Sequence, residues 1–193
     1  MLEKQLFPLW DSLCLTLRDI LSVAAFVKGL DPFERETAER YGTAVYWYAK
    51  DNGLRDMRQN GETDSLQLNI DGSIAEHRCA KHHNVYPNYQ LDGPTHVDLV
   101  INGKTVDVKW TSNPNHNLAV RGNITPENAA DYFMLMRGPA EGEMEYVGHI
   151  SSKEFFEKSH VYHNQNTGLP YRVCFESDLH DGPIPDKDLC TYS

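Results

Sequence analysis

The sequence predicts a mixed α/β fold with an antiparallel hairpin at its centre. Helical patterns occupy most of the first 60 residues, and Asn102-Gly103 joins two β-rich runs at 96–101 and 104–110. Further strand-like runs follow at 132–136 and 146–150. Asn-Gly between two β-rich runs is the strongest short-range signal for a two-residue hairpin. The predicted order is therefore helices, strands, a short helix and further strands.

Length and composition favour a single globular domain. The chain has 193 residues, of which 40% are hydrophobic and 10% aromatic, enough to bury a substantial core. Residues 1 to about 60 are predicted to form a helical N-terminal segment. Residues 70–157 are predicted to form the central α/β core, and 160–193 an irregular tail.

The sequence has no pattern typical of a membrane span or a secretory signal. Its most apolar stretch, 13–30, is interrupted by Arg18, Asp19 and Lys28 and is typical of an amphipathic helix. The four cysteines lack the paired spacing of a disulfide framework or a zinc ribbon. We therefore expect a cytoplasmic protein with reduced thiols and no membrane partner.

Local signals place the elements before the hairpin. Two helices are predicted, from 9 to 28 and from about 32 to 51, and Asn52-Gly53 ends the second. Residues 65–70 are predicted as a strand. Ser73 and Glu76 have the spacing of a capping box, which predicts that a third helix begins at Ser73. A short strand is then predicted at 85–91.

The elements after the hairpin follow from similar signals. Residues 111–117 form a polar loop, and Thr125-Pro126 is typical of a helix start with threonine as cap and proline at the first position. Strands are predicted at 132–136 and 146–150, separated by a turn at 138–142. A helix is predicted over 151–158, with Lys153 in its first turn. Within the irregular tail, 171–175 is predicted as a strand.

The hairpin turn sets the register of its two strands. With Asn102-Gly103 as the loop, Leu99 faces Val106 and Asp98 faces Asp107. Counting outward from the turn makes the two aspartates a non-hydrogen-bonded pair, with Cβ atoms about 4.5 to 5.5 Å apart. The sequence therefore predicts two carboxylates side by side.

The other face of the hairpin is apolar and is predicted to contact the core. It carries Val97, Leu99, Ile101, Val106, Val108 and Trp110. Because a one-residue slip would bury the charged side chains in place of these, the register is well specified.

Two adjacent carboxylates require a cation nearby. At this separation they repel each other by about 3 kcal/mol at an effective dielectric constant of 20. Lys109 lies on the same face as Asp107 and could neutralise it in a solvent-facing polar stripe. Because the hairpin itself places the second carboxylate, we favour a divalent-cation site, whose hard oxygen ligands suit magnesium or manganese.

The order of acidic residues resembles the PD-(D/E)XK nuclease superfamily over residues 70–157. Glu76 lies on a predicted helix, followed by Asp98, an eight-residue gap and the triplet Asp107-Val108-Lys109. The sequence departs at the motif's proline, because Pro94 lies four residues before Asp98. The resemblance implies a restriction-endonuclease-like mixed sheet with a central antiparallel hairpin flanked by helices, preceded here by the N-terminal helical segment.

The same resemblance implies a metal-dependent deoxyribonuclease, a hydrolase whose partner is DNA. Asp98, Asp107 and the Val108 carbonyl would bind Mg²⁺ or Mn²⁺, and Glu76 would complete the site directly or through water. Lys109 would hold or help to deprotonate the attacking water and stabilise charge on the phosphate. A homodimer would suit double-strand cleavage.

Five further residues are candidate substrate contacts. Thr111 and Ser112 could bind a phosphate through hydroxyl or backbone N–H groups, and Arg121 and Lys153 through their charge. Ser73, at the predicted start of the Glu76 helix, resembles the corresponding position in junction-resolving members of the superfamily. His96 is either a secondary base or a hydrogen-bonding bystander at the strand edge.

Two other patterns favour structural roles. Cys79, His82 and His83 lack a second ligand pair for a metal. The helix predicted at 32–51 carries more aromatic mass than one narrow face can bury. Core packing is the default explanation for those aromatic residues, and a nucleotide-stacking surface is the alternative.

The net charge of −10 weighs against tight, non-specific DNA binding, which normally requires a basic surface. One alternative is therefore a non-catalytic, acidic interaction protein that keeps a nuclease-like fold. Another is a structural hairpin in an unrelated α/β enzyme. The complete set of carboxylates and lysine favours the nuclease, because a binding module gains nothing from an uncompensated carboxylate pair.

Overall fold

The computed structural model describes residues 29–53, 65–91, 97–165 and 167–186. These ranges form a mixed α/β structure with three α-helices and two β-sheets, which confirms the predicted fold class. The helix predicted at 9–28, Pro94 and His96 lie outside the described residues. No helix in the described ranges is long and apolar enough to cross a membrane.

Two helices come first in the described ranges, followed by five strands, a third helix and two further strands. The helices are α1 (Pro32–Asp51), α2 (Ser65–His82) and α3 (Ser152–Lys158). The strands are β1 (Leu99–Ile101), β2 (Lys104–Thr111), β3 (Leu118–Arg121), β4 (Tyr132–Arg137), β5 (Glu145–Ser151), β6 (His160–His163) and β7 (Pro170–Cys174), followed by a 3-10 turn at Glu176–Asp178. The first sheet has the order β1-β2-β4-β5, with β2 and β4 parallel, and the second has the order β3-β7-β6.

Helix α1 confirms the second predicted helix, including its end. The Asp31 carboxylate accepts hydrogen bonds from the backbone N–H groups of Phe33 and Glu34, both at 2.9 Å. The Glu34 carboxylate accepts in return from the Asp31 N–H at 2.7 Å, which completes a capping box. At the other end, Gly53 has a positive φ of 62° and turns the chain out of the helix.

Helix α2 begins earlier than predicted. It starts at Ser65, so the strand predicted at 65–70 and the helix start predicted at Ser73 are both wrong. Ser73 is buried in mid-helix, where its hydroxyl donates to the Ala38 carbonyl of α1 at 2.8 Å. A Cβ at Gly42 would lie 2.7 Å from the Asn69 carbonyl oxygen, which shows how closely α1 packs on α2. This packing keeps Asp71-Gly72-Ser73 helical, although the low helix propensity of these residues alone would end the helix there.

Two other local signals also lead to wrong predictions. Thr125 does not begin a helix: its N–H donates to the Asn128 side chain at 2.7 Å, closing a turn ahead of β4. The segment 85–91 has one isolated bridge, between Pro87 and Leu99, instead of a strand. Proline lacks the N–H group that a longer ladder would need at that position.

The tail is more regular than predicted. Strands β6 and β7 lie within the segment predicted as irregular, and β7 confirms the strand predicted at 171–175 with its start one residue earlier. Strand β7 pairs with β3, which has no counterpart among the predictions, through registers such as Leu118 with Cys174. The predicted strands at 132–136 and 146–150, and the helix after Ser151, are confirmed as β4, β5 and α3.

The first sheet is covered differently on its two faces. Helix α2 covers one face, where Ala75, Cys79 and Ala80 pack against buried residues of β1, β2 and β4. On the other face, Phe133 packs in a cluster supplied by the second sheet and α3. The prediction of a sheet flanked by helices therefore holds on one face, whereas a small sheet and a seven-residue helix cover the other.

The Asn102-Gly103 hairpin has the predicted register over the length of β1, but its predicted place at the centre of the sheet is wrong, because β1 is the end strand of the order β1-β2-β4-β5 among the described residues. Leu99 pairs with Val106 and Ile101 with Lys104, and the turn residues Asn102 and Gly103 have φ values of 52° and 71°. Leu99, Ile101, Val106 and Val108 are buried as predicted, and Trp110 is partly buried. Two positive φ values are those of a type I′ turn, which matches the twist of the strands.

This turn geometry gives a first testable prediction. Gly103→Val should lower the free energy of unfolding by about 1–2 kcal/mol, because a β-branched residue is strained at positive φ. Gly72→Ala is the control, since a Cβ at Gly72 meets no atom within 4 Å and alanine favours the helix by up to about 1 kcal/mol. Urea denaturation measures both changes. A Gly103→Val variant as stable as the wild type would contradict the turn assignment.

Candidate active site

The four predicted catalytic side chains lie on α2, just before β1 and on β2, and the charges of the other three act on Asp98. Burial raises the pKa of Asp98 well above its usual range, and the charges of Glu76 and Asp107 raise this pKa further. The Lys109 ammonium acts in the opposite direction and lowers it. Asp98 therefore lies close enough to two other carboxyl groups and one ammonium group for their charges to act on it.

Asp107 is the most buried of the four. It lies in the middle of β2, one residue beyond the end of the β1 ladder and paired with Phe133 of β4, and its side chain is 2% exposed. One carboxylate oxygen forms an ion pair with Lys109, whose side chain is 27% exposed. The other oxygen is buried and has no hydrogen-bond partner among the described residues. The ion pair of the alternative interpretation is therefore present, although the buried Asp107 is not part of a solvent-facing stripe.

Asp98 lies just outside the β1–β2 ladder. Its backbone N–H donates to the Val106 carbonyl at 2.8 Å, although Val106 is the register partner of Leu99. Two consecutive residues thus share one opposing residue, as in a β-bulge. The predicted direct pairing of Asp98 with Asp107 is absent from the ladder, and the Asp98 carboxylate accepts instead from the Val108 N–H at 2.7 Å.

The backbone of Val108 faces the same neighbourhood. Its N–H points towards Asp98, and the N–H and C=O of a strand residue point to the same side of the strand. The Val108 carbonyl therefore lies on the β1 side of β2, just beyond the end of the paired region. The carbonyl therefore lies on the same side of β2 as Asp98, as it must if both are to bind one metal ion.

Tyr41 is a neighbour that the sequence analysis did not assign to the site. Burial raises the pKa of Tyr41 to about 12, and the charges of Glu76 and Asp98 contribute to the increase. Its hydroxyl donates to the carbonyls of Asn88 and Gln90, at 3.1 and 3.2 Å. The packing of α1 on α2 brings this tyrosine to the carboxylates, and no local pattern around residue 41 could have indicated it.

The carboxylates are neighbours without surrounding a common point. Across the ranges that the structure describes, no group of three or more His, Cys, Asp or Glu side chains is arranged to hold a metal ion. Asp98 is held by the Val108 N–H and Asp107 by Lys109. A cation would have to compete with these two contacts for the carboxylate oxygens.

The predicted substrate contacts are spread over several elements. Ser73 has lost the basis of its prediction, because it is buried and its hydroxyl is bonded to Ala38. Thr111 ends β2, with its hydroxyl 3.3 Å from Nδ1 of His116, and Ser112 is exposed in the following loop. Arg121 is exposed at the end of β3 and Lys153 in the first turn of α3. Phosphate contacts by these four residues remain predictions.

The cysteine and histidines near the end of α2 have packing roles. Cys79 is fully buried, with its sulfur 3.5 Å from the sulfur of Met134, as expected for a structural residue. The His82 ring stacks on Tyr146, and His83 meets the same ring edge-on. Burial lowers the pKa of His83 to about 4, so the imidazole is neutral at physiological pH.

No protein-family model, curated protein or solved structure matches this chain. The case for a function therefore rests on the residues and geometry described above. The likeness to the PD-(D/E)XK superfamily remains a prediction from the sequence motif.

Proposed function

We propose that the chain is a magnesium- or manganese-dependent nuclease that hydrolyses phosphodiester bonds in DNA. The observation that carries the proposal is the Asp107 carboxylate, which is buried on a central strand with one oxygen unpartnered among the described residues. The Asp98 carboxyl group lies close enough to both Glu76 and Asp107 for their charges to raise its pKa. Burying a charge without full compensation destabilises a protein, so such a cluster is typical of a functional site.

The donor set suits a hard divalent cation. Asp98, Asp107, Glu76 and the Val108 carbonyl would supply only oxygen atoms, which magnesium and manganese prefer. The unpartnered Asp107 oxygen offers a lone pair that no described donor uses. When bound, the cation would lower the pKa of a water molecule and offset charge that develops on the phosphate.

The chain's own residues position and complement this chemistry. Strand β2 is paired with β4 at both Asp107 and Lys109, which fixes the positions of these two residues relative to each other. Lys109 is partly exposed, and its ammonium can therefore reach both Asp107 and a molecule entering from solvent. In that position it would orient a water molecule and donate a hydrogen bond to a phosphate oxygen.

A cleavage assay tests the proposal. Plasmid and oligonucleotides of single-stranded, duplex and junction form are incubated with the protein and Mg²⁺ or Mn²⁺. Asp107→Asn should reduce the cleavage rate by about 100-fold or more, as expected when a metal ligand is lost. Asp51→Asn, at the exposed end of α1, is the matched control and should cleave like the wild type. Absence of cleavage by the wild type on every substrate, or equal cleavage by Asp107→Asn, would contradict the proposal.

The net charge of −10 favours one alternative, a non-catalytic interaction protein with the same fold, because a basic surface is usual for DNA binding. Calorimetric titration with manganese separates the two. Heat that is present in the wild type and lost in Asp107→Asn supports the nuclease, whereas no binding at millimolar manganese supports the interaction protein.

A further inference from the structure

An aromatic cleft lies next to the candidate active site. It has a volume of about 460 Å³ and is bounded by the start of α1, the end of α2 and the segment 84–89. Three of its lining aromatic residues are unusually exposed: Tyr86 at 90%, Phe33 at 78% and Tyr89 at 47%. Exposed apolar side chains that line one cleft together are typical of a ligand-binding groove or an interaction surface.

One wall of the cleft is fixed by hydrogen bonds. Nδ1 of His77 lies 2.8 Å from the Ser73 carbonyl, which can only accept, so Nδ1 carries the proton. Nε2 of His77 is therefore the acceptor for the Tyr89 hydroxyl, at 3.0 Å. The Tyr89 ring also meets the Tyr41 ring edge-on, with centroids 5.1 Å apart. Tyr89 is thus a rigid wall, while most of Phe33 and Tyr86 is open to solvent.

The cleft is continuous with the carboxylate cluster through the backbone. The Asn88 N–H donates to the Asp98 carbonyl at 2.7 Å, and Pro87 forms a bridge to Leu99. Tyr86 and Tyr89 lie on either side of these two residues along the chain. A ligand in the cleft would therefore lie near Asp98, because the residues between Tyr86 and Tyr89 contact Asp98 and Leu99.

The lining suits a flat, neutral ring. The Lys81 ammonium, which lines the cleft, is bonded to the Glu34 carboxylate at 2.6 Å and to the Gly29 carbonyl at 3.0 Å. The Glu34 carboxylate neutralises the charge of the Lys81 ammonium, so this pair attracts a phosphate only weakly. Aromatic side chains bind nucleobases by stacking, which requires bases whose faces are free of neighbouring bases. Bases inside a duplex do not present such faces.

We propose that this cleft binds an unpaired nucleobase, so that the nucleic acid is single-stranded where it reaches the candidate active site. This inference rests on the proposed nuclease function and adds the strand state of the substrate. The base stacks on Tyr86 and Phe33, against the wall formed by Tyr89. Its phosphate continues towards Asp98, outside the neutral cleft.

A binding assay tests the cleft independently of cleavage. Fluorescence anisotropy in a chelator and low salt compares a labelled single strand of about 12 nucleotides with the duplex of the same sequence. Tyr86→Ala and Phe33→Ala should each weaken single-strand binding by about tenfold, the effect of losing one stacking contact. Tyr162→Ala removes a tyrosine that is 43% exposed on β6 and should leave binding unchanged. Equal single-strand affinity in all four proteins would overturn the inference.

Abasic oligonucleotides locate the contact. A series of oligonucleotides carries one abasic site each, at successive positions. The wild type should bind one of them more weakly than the rest, whereas Tyr86→Ala, which already lacks the stacking contact, should bind all of them equally. Additive losses at every position would overturn the inference. Photocrosslinking from p-benzoylphenylalanine in place of Tyr86 should label the oligonucleotide. Crosslinking to residues 1–28 of the same chain in place of the oligonucleotide would show that the cleft has another occupant and would overturn the inference too.

The two proposals fail in different ways. In one outcome, cleavage of single strands depends on Asp107 but is as fast in Tyr86→Ala and Phe33→Ala as in the wild type. This result would contradict the role of the cleft and support the nuclease function. In the other outcome, the protein binds single strands through Tyr86 but cleaves no substrate. This result would support base binding in the cleft and contradict the nuclease function. Asp107→Asn should bind the single strand as tightly as the wild type in both cases.

Discussion

Lys109→Met should lower the free energy of unfolding by about 2 kcal/mol when a chelator is present. The substitution leaves the Asp107 carboxylate, which is 2% exposed, without its cation. Removing one partner of a buried ion pair typically costs about 3–5 kcal/mol, and the partial exposure of Lys109 reduces that value. Urea denaturation of both proteins measures the difference.

A second substitution distinguishes charge from packing. In Lys109→Met/Asp107→Asn the uncompensated charge is gone, so most of the lost stability should return. Lys81→Met breaks the more exposed ion pair with Glu34 and should cost less than about 1 kcal/mol. If the double variant is no more stable than Lys109→Met, lost packing of the lysine stem explains the result and the charge argument fails.

Divalent cations provide the link to function. A cation held by Asp107 would supply the positive charge that methionine lacks, so Mg²⁺ or Mn²⁺ should raise the melting temperature of Lys109→Met more than that of the wild type. The double variant, without the Asp107 carboxylate, should show little increase. An equal increase in all three proteins would indicate a cation bound elsewhere.

The parts of the fold that sequence predicts are those fixed by local chemistry. The Asn102-Gly103 turn demands positive φ at both residues and sets the register of β1 against β2. Asp31 and Glu34 fix the start of α1 in the same local way. By contrast, β3 becomes recognisable only through its pairing with β7, which is distant in sequence. The start of α2 was misplaced because contacts with α1 overrule the weak helix propensity around Gly72.

The candidate site shows the same division. Asp107 and Lys109 are two residues apart on one strand, and alternation alone predicts that they share a face. The bulge at Asp98 was not predictable, because it depends on a side-chain hydrogen bond to the Val108 N–H. The approach of Tyr41 and the aromatic cleft depend on helix packing and on the irregular segment 84–89. Periodicity carries no information about such segments.

Asp98→Asn should stabilise the protein at neutral and alkaline pH. Although Asp98 as a whole is partly exposed, its carboxyl group lies in the interior, and burial with the charges of Glu76 and Asp107 raises its pKa. The folded state therefore binds this proton more tightly than the unfolded state does. Its contribution to stability is largest below the unfolded pKa and is lost as the pH rises through the folded pKa.

Asparagine has no such proton to lose, and its side-chain oxygen can still accept from the Val108 N–H. The difference in free energy of unfolding, Asp98→Asn minus wild type, should therefore increase as the pH rises above about 4, the pKa of an unfolded aspartate, and level off once the pH exceeds the raised folded-state pKa. Parallel stability curves across this range would contradict the argument. Because a cation favours the ionised carboxylate, Mg²⁺ or Mn²⁺ should release a proton from the wild type on binding and reduce the advantage of the variant at pH 8. Under the proposed function, the stability lost at Asp98 results from placing a carboxylate where it can bind a cation.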